Sequence, residues 1–263
     1  MKLRLVPATQ GLIWLRHGLL TCWHQSLGFL GLMGLITSVA LLLMTVPLLG
    51  PLLFMGALPM VWMGFMLATR RVLAGQRITP VVLLEPWRGP DAPKKEWLQL
   101  GGAYIAAMIL AMQLADWFGP GAEALSQANE QAKDVVALIR DPQVQADLLW
   151  RWALTLPVSL LFWHTPALVL WGRVPIGKAL FFSLVASWRN LSAFVLYGLG
   201  WVGVAAVLGL LIRTIALLSP EPAIAEILAV ILGMWTAGAF YASLYFTVVD
   251  CFESPESRVD QTV

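Results

Sequence analysis

Three ionisable residues stand where a charge is costly. His164 lies in the uncharged stretch between Arg151 and Arg173, beside Thr165-Pro166. An ionisable group inside an apolar span is a functional candidate by default. A neutral imidazole can bond the carbonyl that a proline frees, which is a structural task, or it can offer a ring nitrogen to a ligand or a proton. Arg213 sits near the far end of another apolar stretch. It either snorkels to the headgroups or lines a cavity that takes an anionic headgroup. Asp116, near the outer end of a third stretch, has the charge to pair with it. His164, Arg213 and Asp116 are therefore the candidate ligand-binding residues. A second set, Arg70, Arg71, Lys178 and Arg189, is cationic and flanks apolar stretches. Each such group is worth about 1 kcal/mol of attraction to an anionic lipid surface, or else it serves as topology-setting charge on a solvated loop.

No nucleophile elbow, HExxH or phosphate-binding glycine loop occurs, and a reaction would need one such set. No catalytic residue is expected, and the chain reads as a non-enzyme. Cys22 and Cys251 have no metal-ligand spacing with each other or with His17, His24 and His164, so they read as free packing thiols. No metal or cofactor is expected; one intramembrane histidine does not hold a haem.

The elements that must position these residues follow from apolar length. The 263 residues are 59% hydrophobic and 12% charged, about half the charge of a soluble domain. Between Arg16 and Arg70 there is no Lys, Arg, Asp or Glu. A spanning helix needs about 20 apolar residues, so this run supplies a hairpin turning at Gly50-Pro51. Six spans are read in all: 27–49, 51–68, 97–118, 152–171, 191–217 and 224–249. Pro59 and Pro157 fall inside spans, tolerated where a neighbour satisfies the freed carbonyl. The net charge of +2 is too small to argue for nucleic acid. The expected fold is all-α, a polytopic membrane protein of six transmembrane helices.

Two further segments read as amphipathic helices in the cytoplasmic interface. In 8–25, Leu12, Leu15, Leu19 and Trp23 recur on one stripe, and Gln10, His17, Thr21 and His24 on another. In 173–190, Phe181, Leu184, Val185 and Trp188 oppose Ser183, Ser187 and Asn190. The loop 69–97 is basic and proline-broken, and 122–149 is acidic with helical spacing, a helical loop on the outer face. All but four of the 17 Lys and Arg fall on the side of the termini; the exceptions are Lys133, Arg140, Arg151 and Arg213. The positive-inside bias makes both termini cytoplasmic and 119–149 periplasmic. No cleavable signal peptide is evident at the start of the chain.

Shifting the chain by 165 residues lays Trp23-His24-Gln25 on Trp188-Arg189-Asn190 and Phe29 on Phe194. The reading is one transmembrane domain, 1–250, with a parallel repeat of 8–68 and 173–249, then a polar cytoplasmic tail, 251–263. In a true duplication the two interfacial helices would form a paired collar.

Several of these features carry a resemblance: the interfacial segment ending in Trp, the proline-broken second span before Arg70-Arg71, and the run from His164-Thr165-Pro166-Ala167 through Lys178-Ala179-Leu180-Phe181-Phe182-Ser183 to Trp188-Arg189-Asn190. In them the chain resembles uncharacterised proteobacterial multi-pass inner-membrane proteins. More distantly, its plan is similar to the membrane domain of some bacterial glycerophosphodiester phosphodiesterases, without their catalytic domain. The resemblance implies the inner membrane and lends no activity. The expected function is that of a scaffold, accessory subunit or assembly partner, with a lipid-handling protein or small-molecule transporter as the alternative. The expected partners are membrane lipids and a membrane protein or a second copy.

Overall fold

A computed structural model describes residues 2–88, 92–131, 138, 140–219 and 221–253. The chain begins with β1 (Lys2–Leu3) and α1 (Gln10–His24). The hairpin α2 (Ser26–Met44) and α3 (Leu49–Leu73) follows, then a 3-10 helix (Pro80–Trp87), α4 (Lys94–Phe118) and α5 (Gly121–Gln131). The second half holds α6 (Pro142–Phe162), α7 (Thr165–Leu170), α8 (Ile176–Arg189), α9 (Leu191–Leu218), α10 (Pro222–Cys251) and β2 (Phe252–Glu253). Among the described residues six helical stretches are long and apolar enough to cross a membrane: α2, α3, α4, α6 with α7, α9 and α10. The protein is an all-α polytopic membrane protein, and its spans fall in the order read from the sequence. Part of the acidic loop, 132–137 and 139, and the tail 254–263 lie outside the described residues.

Each span is apolar on every side, as a helix must be when one face meets protein and the other lipid. The packing centres on α10. Leu244 and Val248 join Met63, Met66, Tyr104 and Phe162 of α3, α4 and α6. Ala239 and Ala242 join Cys22, Phe29, Leu32 and Phe65 of α1, α2 and α3. Cys251, with Phe252 just beyond, joins Trp14, Leu168, Phe194 and Tyr197.

The ends of the chain meet on this last cluster. β1 and β2 pair antiparallel, with Leu3 opposite Phe252, so both described ends lie on one side of the bundle. Cys251 is fully buried and Phe252 nearly so, which corrects the tail boundary read from the sequence. The packed domain extends to Glu253, because Phe252 is pulled into the apolar cluster.

α1 departs from a simple interfacial helix. Its buried residues are Gly11, Trp14, Gly18, Thr21 and Cys22. They recur at helical spacing, and the helix runs along the last half of α10, with Gln10 and Trp14 at Asp250 and Cys22 at Trp235. Gly11 and Gly18 face in with Trp14, Thr21 and Cys22, Leu15 and Leu19 pack at the edge of the core, and the outward positions still carry Leu12, Ile13, Leu20 and Trp23. That is the arrangement expected where the outer solvent is lipid. A Cβ on Gly11 would strike Ala193 of α9, and one on Gly18 would strike Ser243 and lie 2.7 Å from the Ala239 oxygen of α10.

α3 closes with Gly75 at φ +70°. The Gly75 amide donates to the Val72 carbonyl at 3.0 Å and the Gln76 amide to Arg71 at 2.9 Å, the paired bonds of a Schellman stop. Beyond it the proline-rich loop does not float free. Its 3-10 helix turns back on α3, burying Val82, Leu83 and Pro86 over Gly64.

Replacing Gly18 with Ala should cost about 1–3 kcal/mol, because backbone on α10 must move. Gly31→Ala, which meets nothing within 4 Å, should be neutral or slightly stabilising. Unfolding in detergent with rising SDS measures both; equal values would remove the seam from this account.

Candidate functional site

His164 sits at the break between α6 and α7, where Pro166 prevents one continuous helix. The break frees backbone groups, and Ser183 of α8 takes them up. Its Oγ donates to the Leu160 carbonyl at 2.8 Å and accepts from the His164 amide at 3.0 Å. The imidazole Nδ1 lies 3.5 Å from the same oxygen. The hydroxyl's single proton serves the Leu160 carbonyl. Nε2 is buried with no partner among the described residues. The ring edges meet Phe194 and Phe252 at 5.7 and 5.3 Å. His164 thus repairs and fills a helix break, and it contacts neither of the other two candidates.

Asp116 was paired with Arg213 in the sequence reading. The structure pairs it elsewhere. Arg151 donates from Nη2 to Asp116 Oδ1 at 2.6 Å and from Nε to Asp147 Oδ2 at 2.7 Å. Arg151 and Asp147 share one face of α6 at i,i+4 spacing, which brings the guanidinium to the end of α4 and leaves Arg213 out of reach. The i,i+4 spacing of Asp147 and Arg151 is the sequence signal for this cluster. Arg213 is exposed on α9 and makes no ion pair among the described residues.

The four basic residues also divide. Arg71 bonds Thr79 and forms an ion pair with Glu85 on the 3-10 helix, so its charge is spent on that loop. Lys178 and Arg189 are exposed on α8. Between them the outer face of α8 shows Phe181, Phe182 and Trp188, aromatic and cationic together, the composition suited to a headgroup zone. Arg70 is exposed at the end of α3.

Three polar residues make structural bonds that the sequence does not reveal. Asp250 accepts from Gln10 Nε2 and Trp14 Nε1, both at 2.7 Å, holding α1 to α10. Asn190, the single residue between α8 and α9, accepts from the Val6 amide at 2.9 Å and donates to the Arg4 carbonyl at 3.1 Å. Gln25, the single residue between α1 and α2, does the same to another strand: it accepts from the Ile78 amide at 2.9 Å and donates to the Gln76 carbonyl at 2.6 Å. Each side-chain amide reads an extended tripeptide as a neighbouring strand would. The thiol of Cys22 is buried beneath α1, and burial pushes its pKa up to about 12, so it packs as a neutral thiol.

α9 is the least covered span. Its buried residues, Ala193, Phe194 and Tyr197, all fall in its first two turns. Beyond them α9 and α10 part, leaving a lateral groove of about 580 Å³ walled by Trp201, Ala205, Gly209, Ala229, Gly233 and Phe240. It opens sideways, toward where lipid would lie. A smaller groove of about 370 Å³ runs between α3 and α4 past Trp87 and Trp97.

The chain is 34% identical over 266 residues to a probable inner membrane protein of Burkholderia thailandensis, covering 96% of this chain and 94% of that one. It belongs to that inner-membrane protein family. No protein-family model and no solved structure matches the chain. Membership gives the multi-pass, inner-membrane character that the six apolar helices express. In this family member the candidate residues His164, Arg213 and Asp116 do not converge on one site.

Replacing Arg151 with Ala should cost about 1–3 kcal/mol, because the mostly buried Asp147 loses its partner while water reaches part of the cluster. Asp116→Asn, at a carboxylate 60% exposed, should cost under about 1 kcal/mol. SDS-titration midpoints separate the two; a larger loss from Asp116→Asn would reverse the assignment.

Proposed function

We propose that the protein is a non-enzymatic inner-membrane assembly protein, a scaffold or accessory subunit that binds a membrane partner through its spans. The observation that carries this reading is the α9–α10 groove. Small residues recur on both walls, Ala205 and Gly209 on α9, and Ala229, Gly233 and Ala237 on α10. Small residues at four-residue spacing let a further helix approach closely in lipid, where packing drives association. The polar residues are taken up differently. His164, Asp250, Asn190 and the Asp116–Arg151–Asp147 cluster are bonded within the bundle, a use of polar groups that serves architecture. The reading places both termini on the cytoplasmic side, following the Lys and Arg bias, with Lys178 and Arg189 of α8 against anionic headgroups.

The parallel repeat belongs to this proposal. What supports it is the likeness of the Gln25 and Asn190 junctions, which the shift of 165 residues superimposes and which clamp backbone in the same way. The collar forms a looser pair than a duplication would suggest: α1 packs on α9 and α10, while α8 packs on α6 and α7.

The alternative, lipid handling or small-molecule transport, draws on the same groove, which has room for an acyl chain and has Arg213 one residue beyond its lining residue Ile212. The likeness in plan to the phosphodiesterase membrane domain rests on sequence resemblance alone and adds no activity to either reading.

A photo-crosslinking amino acid at Leu208, which lines the groove, should give one discrete protein adduct in living cells. The same probe at Leu41, exposed on α2, should give none. Adducts to lipid alone at Leu208 would overturn the assembly reading in favour of the alternative.

A further inference from the structure

We propose that the α9–α10 face docks a second copy of this chain. The inference rests on the assembly reading and names its partner. A twofold axis along the membrane normal keeps every residue at its own depth, so a group on one copy meets groups of equal depth on the other. Two contacts set the register of α9 against α10. The Tyr197 and Ser243 hydroxyls are 2.5 Å apart, and the Trp201 and Phe240 rings are 5.5 Å apart. Continuing that antiparallel register along both helices puts Arg213 level with Ile227 or Leu228. Glu226 is then within two residues of it in depth, about 3 Å along the axis.

Both charges lie just beyond the groove's lining, Arg213 next to Ile212 and Glu226 one turn before Ala229. Arg213 extends the Ala205–Gly209 row by four residues. Glu226 extends the row of Ala229, Gly233 and Ala237 by one turn. The two residues are exposed, opposite in sign, and neither makes an ion pair among the described residues. By the register above they lie at nearly one depth on neighbouring helices, without an ion pair to each other. An isologous pair of copies joins them twice, Arg213 of each to Glu226 of the other, on either side of the axis. The small residues between let the helices close.

The same charges argue against a phospholipid as the occupant. A phosphate drawn to Arg213 would also meet the Glu226 carboxylate at the same depth. A second copy supplies both complements from one surface.

Native mass spectrometry of the full chain released from nanodiscs tests this, with a thermal unfolding scan of each variant as the folding control. The wild type should be a dimer. Arg213→Glu and Glu226→Arg should each raise the dimer dissociation constant about tenfold or more, since each places like charges opposite one another twice. The combined reversal should return it to near the wild-type value. Arg213→Gln and Glu226→Gln should act in the same direction by a smaller factor. A wild type that is monomeric at all concentrations overturns the proposal, as do single reversals without effect or a combined reversal that fails to restore the dimer. Loss of a bound anionic lipid with Arg213→Glu, with oligomeric mass unchanged, also overturns it and assigns the groove to lipid. If the pure chain is monomeric while Leu208 still captures a different protein in cells, the second copy falls and the assembly reading stands.

Discussion

The close approach of α1 to the last span is the constraint on which the rest of this structure depends. In a bilayer, burying apolar surface between helices gains little, because lipid tails are as apolar as leucine. Helices must therefore be held by contact distance and by polar bonds. α1 uses both. Gly11 and Gly18 bring its backbone against α9 and α10, and Gln10 and Trp14 donate to one carboxylate oxygen of Asp250. Because α10 also packs on α2, α3 and α9, fixing α1 to it closes the first and last thirds of the chain into one body.

The buried polar groups follow one rule: each sits where a helix ends, breaks or meets another helix. Ser183 and His164 repair the break before Pro166. Gln25 and Asn190 fill one-residue junctions and take up the exposed edges of extended segments. Arg151 gathers two carboxylates where α4 and α6 end together. An unpaired polar group in hydrocarbon costs several kcal/mol, so such placements both constrain and stabilise the bundle.

Much of this was legible in the sequence, for physical reasons. Apolar length alone reveals spans, so all six were found, but not their breaks: the hairpin turns at 45–48, leaving Gly50-Pro51 in the first turn of α3, and the span read as 152–171 is interrupted before Pro166. The helices α1 and α8 were visible from periodicity. Which way α1 faces was not: a stripe of Leu12, Leu15, Leu19 and Trp23 has the same spacing whether it meets protein or lipid. Pairing was also hidden. Asp116 sits 35 residues from Arg151, and only the fold brings them together. Trp14 and Asp250 lie 236 residues apart. Glu226 looked like a span boundary, and its depth beside Arg213 emerges only from the register of α9 on α10.

The central claim, that the first helix is fastened to the last span and so closes the chain, can be tested with one covalent bond. β1 and β2 set Leu3 opposite Phe252, a spacing that a disulfide bridges. In a Cys251→Ala background, Leu3→Cys with Phe252→Cys should form an intramolecular disulfide in native membranes under mild oxidation. It would show as faster, reductant-sensitive migration on denaturing gels. No disulfide, in protein that is otherwise folded, would contradict the account.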